Sequence, residues 1–114
     1  MAGSWVDAIA EREAQLGVET VARMARIFVE DSKSQLVTIE AAASRQALTA
    51  ARGAAHDLVT NAASLCFVHL RNAAHEFELA CLCNDRGNVL TLAKGLPPLV
   101  DMCVLQLRER YPQA

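Results

Sequence analysis

The chain of 114 residues is long enough for one hydrophobic core and too short for two. Its 11 Lys and Arg against 13 Asp and Glu leave a formal charge of -2, and the basic residues are scattered, which argues against a nucleic-acid or anionic-membrane surface as the main partner. Hydrophobic residues make up 53% of the chain but aromatics only 4%, and the excess is largely alanine, which favours close-packed helices over a sheet of β-branched and aromatic side chains.

An all-α domain spanning residues 1–114 is therefore expected. Asp7, Glu11, Arg12 and Glu13 leave no room for an apolar signal core, and no segment approaches the roughly 18 apolar residues of a membrane span. The expected location is cytoplasmic, without a membrane partner. Cys66, Cys81, Cys83 and Cys103 sit inside apolar patterns and read as free buried thiols.

In chain order, a first short helix is predicted over Ser4 to Ala14, with Ser4 as N-cap and Trp5, Val6 and Ile9 inward, packing as a lid. The second runs from Val18 to Ala43, where Val21, Met24, Phe28, Leu36 and Ile39 recur near helical spacing while Glu30, Asp31 and Lys33 face outward. Ser44 is placed to cap a third over Arg45 to Ser64, whose buried stripe is Ala51, Ala55, Leu58, Ala62 and Leu65, with Gly53 a mild weakness. Phe67, Leu70, Ala74, Phe77 and Cys81 mark a fourth, ending near Cys83.

Asn84-Asp85-Arg86-Gly87-Asn88 then reads as a turn, followed by a helix bearing Val89, Leu92, Leu96, Leu99, Cys103 and Leu107. Pro97-Pro98 predicts a break or kink in it, since proline removes a donor and clashes with the preceding turn. Four long amphipathic patterns with short connections make an antiparallel up-down-up-down four-helix bundle over 18–110, with the N-terminal helix (1–16) added.

His56 is the most informative residue. It sits about 100° round from Ala55, at the shoulder of the buried stripe, and its own face carries Arg52, Gly53, Val59, Thr60 and Ala63, most of them short. A partner can reach an imidazole there. By periodicity alone, however, a single helical histidine is more often structural or simply solvated.

The third and fourth helices resemble the histidine-containing phosphotransfer (HPt) domain of multistep phosphorelays. Ala55, His56, Leu58, Ala62 and Leu65 match the family's Ala-His-x-Leu-Lys-Gly-x-Ala-x-x-Leu-Gly signature. Leu70, Ala73, Ala74 and Glu76-Phe77-Glu78-Leu79 resemble its next helix, and Phe28 with Leu36, Ile39 and Ala42 the preceding one. The resemblance implies a phosphocarrier in which Nε2 of His56 accepts a phosphoryl group from one receiver-domain aspartate and passes it to another. Its implied partners are response-regulator receivers and a hybrid histidine kinase, and it implies a monomer. It has no cofactor of its own, because Mg²⁺ and the acidic pocket belong to the receiver.

Three departures stand out: Val59 where the family usually has Lys, Thr60 where it has a small residue, and Cys66 where it has Gly. Valine cannot balance the nearly two negative charges of a phosphoryl group, and Arg52 is the nearby cation placed to substitute. Cys66 predicts an altered loop, since the left-handed conformation costs ordinary residues about 1 to 2 kcal/mol.

The runner-up reading is a degenerate HPt-like bundle that docks receivers or kinases without carrying phosphate. A metal site at Cys66, His69, His75, Cys81 and Cys83 is weighed and set aside, because the spacing turns these side chains to different faces. His69 and His75 read as helix-surface residues, and Asp57 as solvated. Trp5, Phe28, Phe67 and Phe77 read as core, and Glu11, Glu13 and Glu19 as a solvated acidic edge. Arg108-Glu109-Arg110 suits the C-terminal end of a helix dipole.

Overall fold

The computed structural model describes residues 4–114, so the first three residues of the expected N-terminal helix lie outside it. Five helices follow in order: α1 (Trp5–Leu16), α2 (Val18–Ser44), α3 (Leu48–Ser64), α4 (Val68–Leu82) and α5 (Arg86–Arg110). Consecutive long helices pack along one another, and α5 returns to α2, which closes the expected antiparallel four-helix bundle.

Its core is the predicted set of stripes: Val21, Phe28 and Ile39 from α2, Ala51, Ala55, Leu58 and Ala62 from α3, Leu70, Ala74, Phe77 and Cys81 from α4, and Val89, Leu96, Cys103 and Leu107 from α5. Alanine dominates the α3 contribution, so that helix approaches its neighbours closely. Cys81 and Cys103 are buried as expected, and burial pushes the Cys103 thiol up to about 12. Cys83 departs from the expectation: it follows the last turn of α4 and is exposed.

The three connections between the four bundle helices share one geometry. Gln46, Cys66 and Asn84 each take a positive φ, of 57°, 64° and 57°. In each turn the next residue's N–H bonds a carbonyl five residues back, Ala47 to Ala42, Phe67 to Ala62 and Asp85 to Ala80. This double-bonded ending satisfies the last carbonyls of each helix. Cys66 thus enters the left-handed region despite its side chain.

This turn also corrects two helix starts. Ser44 completes α2 instead of capping α3, which begins only at Leu48 after Ala47, with no side-chain cap. At the other connection Asp85 caps α5 by accepting from the Asn88 N–H, so Arg86, Gly87 and Asn88 are helical and the turn is shorter than predicted.

The break expected at Pro97-Pro98 does not occur; α5 is continuous with both prolines inside. The carbonyls deprived of partners, four residues earlier, belong to Ala93 and Lys94. Both residues line an open groove of about 310 Å³ between α2 and α5. Contrary to the expectation that no segment approaches a span, α5 is long and apolar enough to cross a membrane by length and composition. Its Val89, Leu96, Val100, Cys103 and Leu107 pack into the bundle core, while Leu90, Met102 and Leu105 are exposed.

Helix α1 is fastened to the bundle near both of its ends. Ser4 caps it, its side chain accepting from the Asp7 N–H, and Trp5 donates Nε1–H to the Leu65 carbonyl at 2.8 Å while stacking on Phe67 at 5.1 Å. Val6, expected inward, is exposed. At its other end Glu13, expected on a solvated edge, accepts from Arg110 at 2.7 and 3.0 Å and from the Tyr111 hydroxyl. These bonds hold the Glu13 carboxyl down to about 2, while burial and the same contact push Tyr111 up to about 12.

Candidate functional site

The site is built on the mid-length of α3, where the buried alanine stripe fixes how the helix is rotated. With Ala51, Ala55, Leu58 and Ala62 turned fully inward, His56 must point out, and its side chain is 66% exposed. Arg52, Gly53, Thr60 and Ala63 are exposed around it. A Cβ added at Gly53 would meet nothing within 4 Å, so that position leaves open space beside the ring.

Val59 differs from these. It is half-buried against the core on the shoulder of α3 that turns toward α4. Thr60 is committed to its own helix, donating its hydroxyl to the His56 carbonyl at 3.2 Å, and Ser64 does the same to Thr60 at 3.0 Å. Neither hydroxyl is therefore free to serve as a donor to an incoming phosphoryl group.

The residue that orients the imidazole comes from α4. Glu78 Oε2 lies 2.9 Å from Nδ1 of His56, and its other oxygen lies 3.4 Å from Nδ1 of His75. The Glu78 side chain is only 14% exposed, held between two exposed rings. An ionised carboxylate can only accept, so this contact selects the tautomer with hydrogen on Nδ1 and leaves the lone pair on Nε2, directed away from α4. The arrangement can perform one simple operation, which is to present a nucleophilic nitrogen in a fixed orientation to a group arriving from outside.

Arg52 and Glu78 both act on the thiol of Cys81. Burial raises that thiol, the Arg52 guanidinium lowers it and the Glu78 carboxylate raises it, which places both charges on the α4 side of α3. Arg52 forms no ion pair among the described residues, so its guanidinium is available to an incoming anion. Asp57 faces the other way, into an open polar groove between α2 and α3 that it shares with Asp31, Ser34, Gln35 and Thr38.

The histidine and its five neighbours thus share the outer face of α3, although Val59 is half withdrawn from it. In the sequence Glu78 stands out only as part of the Glu76-Phe77-Glu78-Leu79 segment, with no role of its own. The helical spacing of His75 and Glu78 is visible in the sequence, but the contact with His56, 22 residues away, depends on the docking of α4. His75 is on the surface as expected, yet it is tied to the same carboxylate. Among the described residues no three His, Cys, Asp or Glu side chains come together as metal ligands.

The model of the Hpt domain family matches residues 23–110, which covers most of the chain and all four helices of the bundle in whole or large part. The chain belongs to the Hpt domain family, whose members carry out phosphotransfer in two-component signalling together with receiver domains and kinases. Helix α1 lies outside the matched region. No curated protein and no solved structure matches the chain.

Proposed function

We infer that this protein is a phosphorelay shuttle in which Nε2 of His56 takes a phosphoryl group from the aspartyl phosphate of one receiver and passes it to the aspartate of another. The observation that carries this reading is the His56 ring, exposed and held through Nδ1 by Glu78. In the forward step the Nε2 lone pair attacks phosphorus, the N–P bond forms, and the P–O bond breaks with its electrons leaving on the receiver carboxylate. No proton need move: Nδ1 keeps its hydrogen against Glu78, which offsets the positive charge developing on the ring.

Arg52 is the group assigned to the phosphoryl oxygens in place of the missing lysine, and Gly53, Val59, Thr60 and Ala63 form the receiver-docking surround. Mg²⁺ and the acidic pocket are supplied by the receiver, in keeping with phosphoryl transfer as a problem of positioning and charge neutralisation. The chain has no kinase or phosphatase activity of its own in this reading. It acts as a cytoplasmic monomer between a hybrid histidine kinase and a response regulator.

The test is transfer of radiolabelled phosphate from a panel of phosphorylated receivers of the same organism, run beside His56→Gln. Acid-labile, alkali-stable label that disappears in the variant is the expected result; label that persists would move the site elsewhere. One observation favours a second reading. The half-buried, apolar Val59 occupies the place of a phosphate-balancing cation, as a bundle that docks receivers without carrying phosphate would tolerate. That reading predicts intact receiver binding with no label from any donor.

A further inference from the structure

Only 22% of the most apolar 18-residue stretch of α5 is buried, so packing into the core does not account for its character. The rest faces outward in a second stripe. Thr91, Gly95, Pro98, Met102 and Leu105 are all exposed, Met102 by 62% and Leu105 by 66%, and they recur in steps of four, three, four and three. That is the spacing of a seam between two helices, in which residues about 3.5 apart on average stay on the partner's side. Leu105 is nine residues, or about two and a half turns, from the buried Leu96, so the seam lies opposite the face that enters the core.

We propose that this outer face of α5 pairs with the same face of a second copy of the chain, antiparallel and about a two-fold axis near Pro98. Charge and shape choose the occupant. Lys94 and Asp101 are exposed on one edge of the seam, about two turns apart, and neither enters an ion pair among the described residues. In an antiparallel pair Lys94 falls opposite Asp101 of the second copy, and the symmetry makes that contact twice. The same axis sets Met102 opposite Gly95, where an added Cβ would meet nothing within 4 Å, which leaves room for a long flexible side chain. Thr91 then meets Leu105. Unpaired charges and small and large residues that are complementary about one point of a single helix are what an isologous contact requires.

Helices α3 and α5 make no contact with each other and lie diagonally across the bundle, so pairing through α5 leaves His56 of both copies open. The proposal therefore does not depend on the phosphocarrier reading. A contact of one helix on one helix gives a dissociation constant on the order of 10–100 μM, and below that concentration the chain is the monomer inferred above.

The experiment is sedimentation equilibrium of the full chain over concentrations that bracket that constant, comparing wild type with Leu105→Glu, Lys94→Glu, Asp101→Lys and the variant carrying both charge reversals. All three positions are exposed, so far-UV circular dichroism should be unchanged. Leu105→Glu should weaken dimerisation about tenfold or more and each single charge reversal about threefold. The double variant should return to within about twofold of wild type, because the reversed charges again meet their opposites. A wild-type chain that stays monomeric throughout overturns the proposal, and flotation of that monomer with phosphatidylcholine vesicles would give the face to a membrane instead. A dimer indifferent to Leu105→Glu, or a double variant as weak as the two single changes combined, would also overturn it by placing the contact on another face or in another orientation.

Discussion

Glu13 and Glu78 are two carboxylates of similar burial, 12% and 14% exposed, that do opposite things. Glu13 is saturated by partners that cannot let go at neutral pH: two guanidinium nitrogens of Arg110 and the Tyr111 hydroxyl, which pin α1 to the end of α5. Glu78 is shared between two imidazoles that are themselves 66% and 54% exposed, so each ring keeps a second nitrogen toward solvent. A bidentate guanidinium spends its donors inward on the contact, whereas an imidazole divides its two nitrogens between a protein partner and whatever arrives from outside. The first arrangement makes a clamp and the second presents a nucleophile.

Removing each carboxylate in turn tests this contrast. The largest effect is expected for Glu78→Ala, which frees the His56 ring to rotate and to place its hydrogen on either nitrogen. Phosphotransfer rates should fall about tenfold or more, and the urea midpoint should barely move. A normal rate would mean that His56 is oriented by α3 alone. Glu13→Gln should show the reverse, a loss of about 1–2 kcal/mol in urea unfolding, modest because Arg110 is partly solvated, with phosphate acceptance unchanged. If transfer failed as well, the two regions would be coupled.

The same clamp has a pH signature. The Glu13 carboxyl is held below its ordinary 4.5 at about 2 in the folded chain, so its contribution is present above pH 4.5 and drains away as the pH falls toward 2. Unfolding free energies measured across that window should decline more steeply in wild type than in Glu13→Gln, and parallel curves would refute the assignment.

A smaller effect is expected at the turn between α3 and α4. Cys66→Gly relieves a left-handed residue and should stabilise by up to about 1 kcal/mol, a gain reduced by loss of the thiol that reaches the Ala8 carbonyl at 3.8 Å. A thermal melt that dropped by several degrees would show that α1 depends on that thiol. Smallest of all, Arg52→Ala should slow phosphate acceptance about threefold in a single-turnover assay, and an unchanged rate would leave the phosphoryl group without a cation from this chain.

Much of the site was legible one helix at a time. The spacing of Ala51, Ala55, Leu58, Ala62 and Leu65 was enough to turn His56 outward, because a buried stripe determines the rotation of a helix whatever it packs against. The errors fell where one backbone stretch ends and another begins. Ser44 reads as an N-cap by residue type, but the turn through Gln46 used it as the last residue of α2. Pro97 and Pro98 read as a break because proline disrupts an isolated helix; here burial on both sides of them carries α5 through. Glu13 read as solvated because its partners lie 97 and 98 residues away.

The sequence by itself determined the all-α class, the four amphipathic stripes and the outward direction of His56, all of which follow from local periodicity and the cost of exposing apolar side chains. Only the tertiary structure decided that Glu78 would hold the ring through Nδ1 and that Glu13 would clamp α1 to α5. These depend on how neighbouring helices are set against one another. That setting comes from packing summed over the whole core, and no window of sequence contains it.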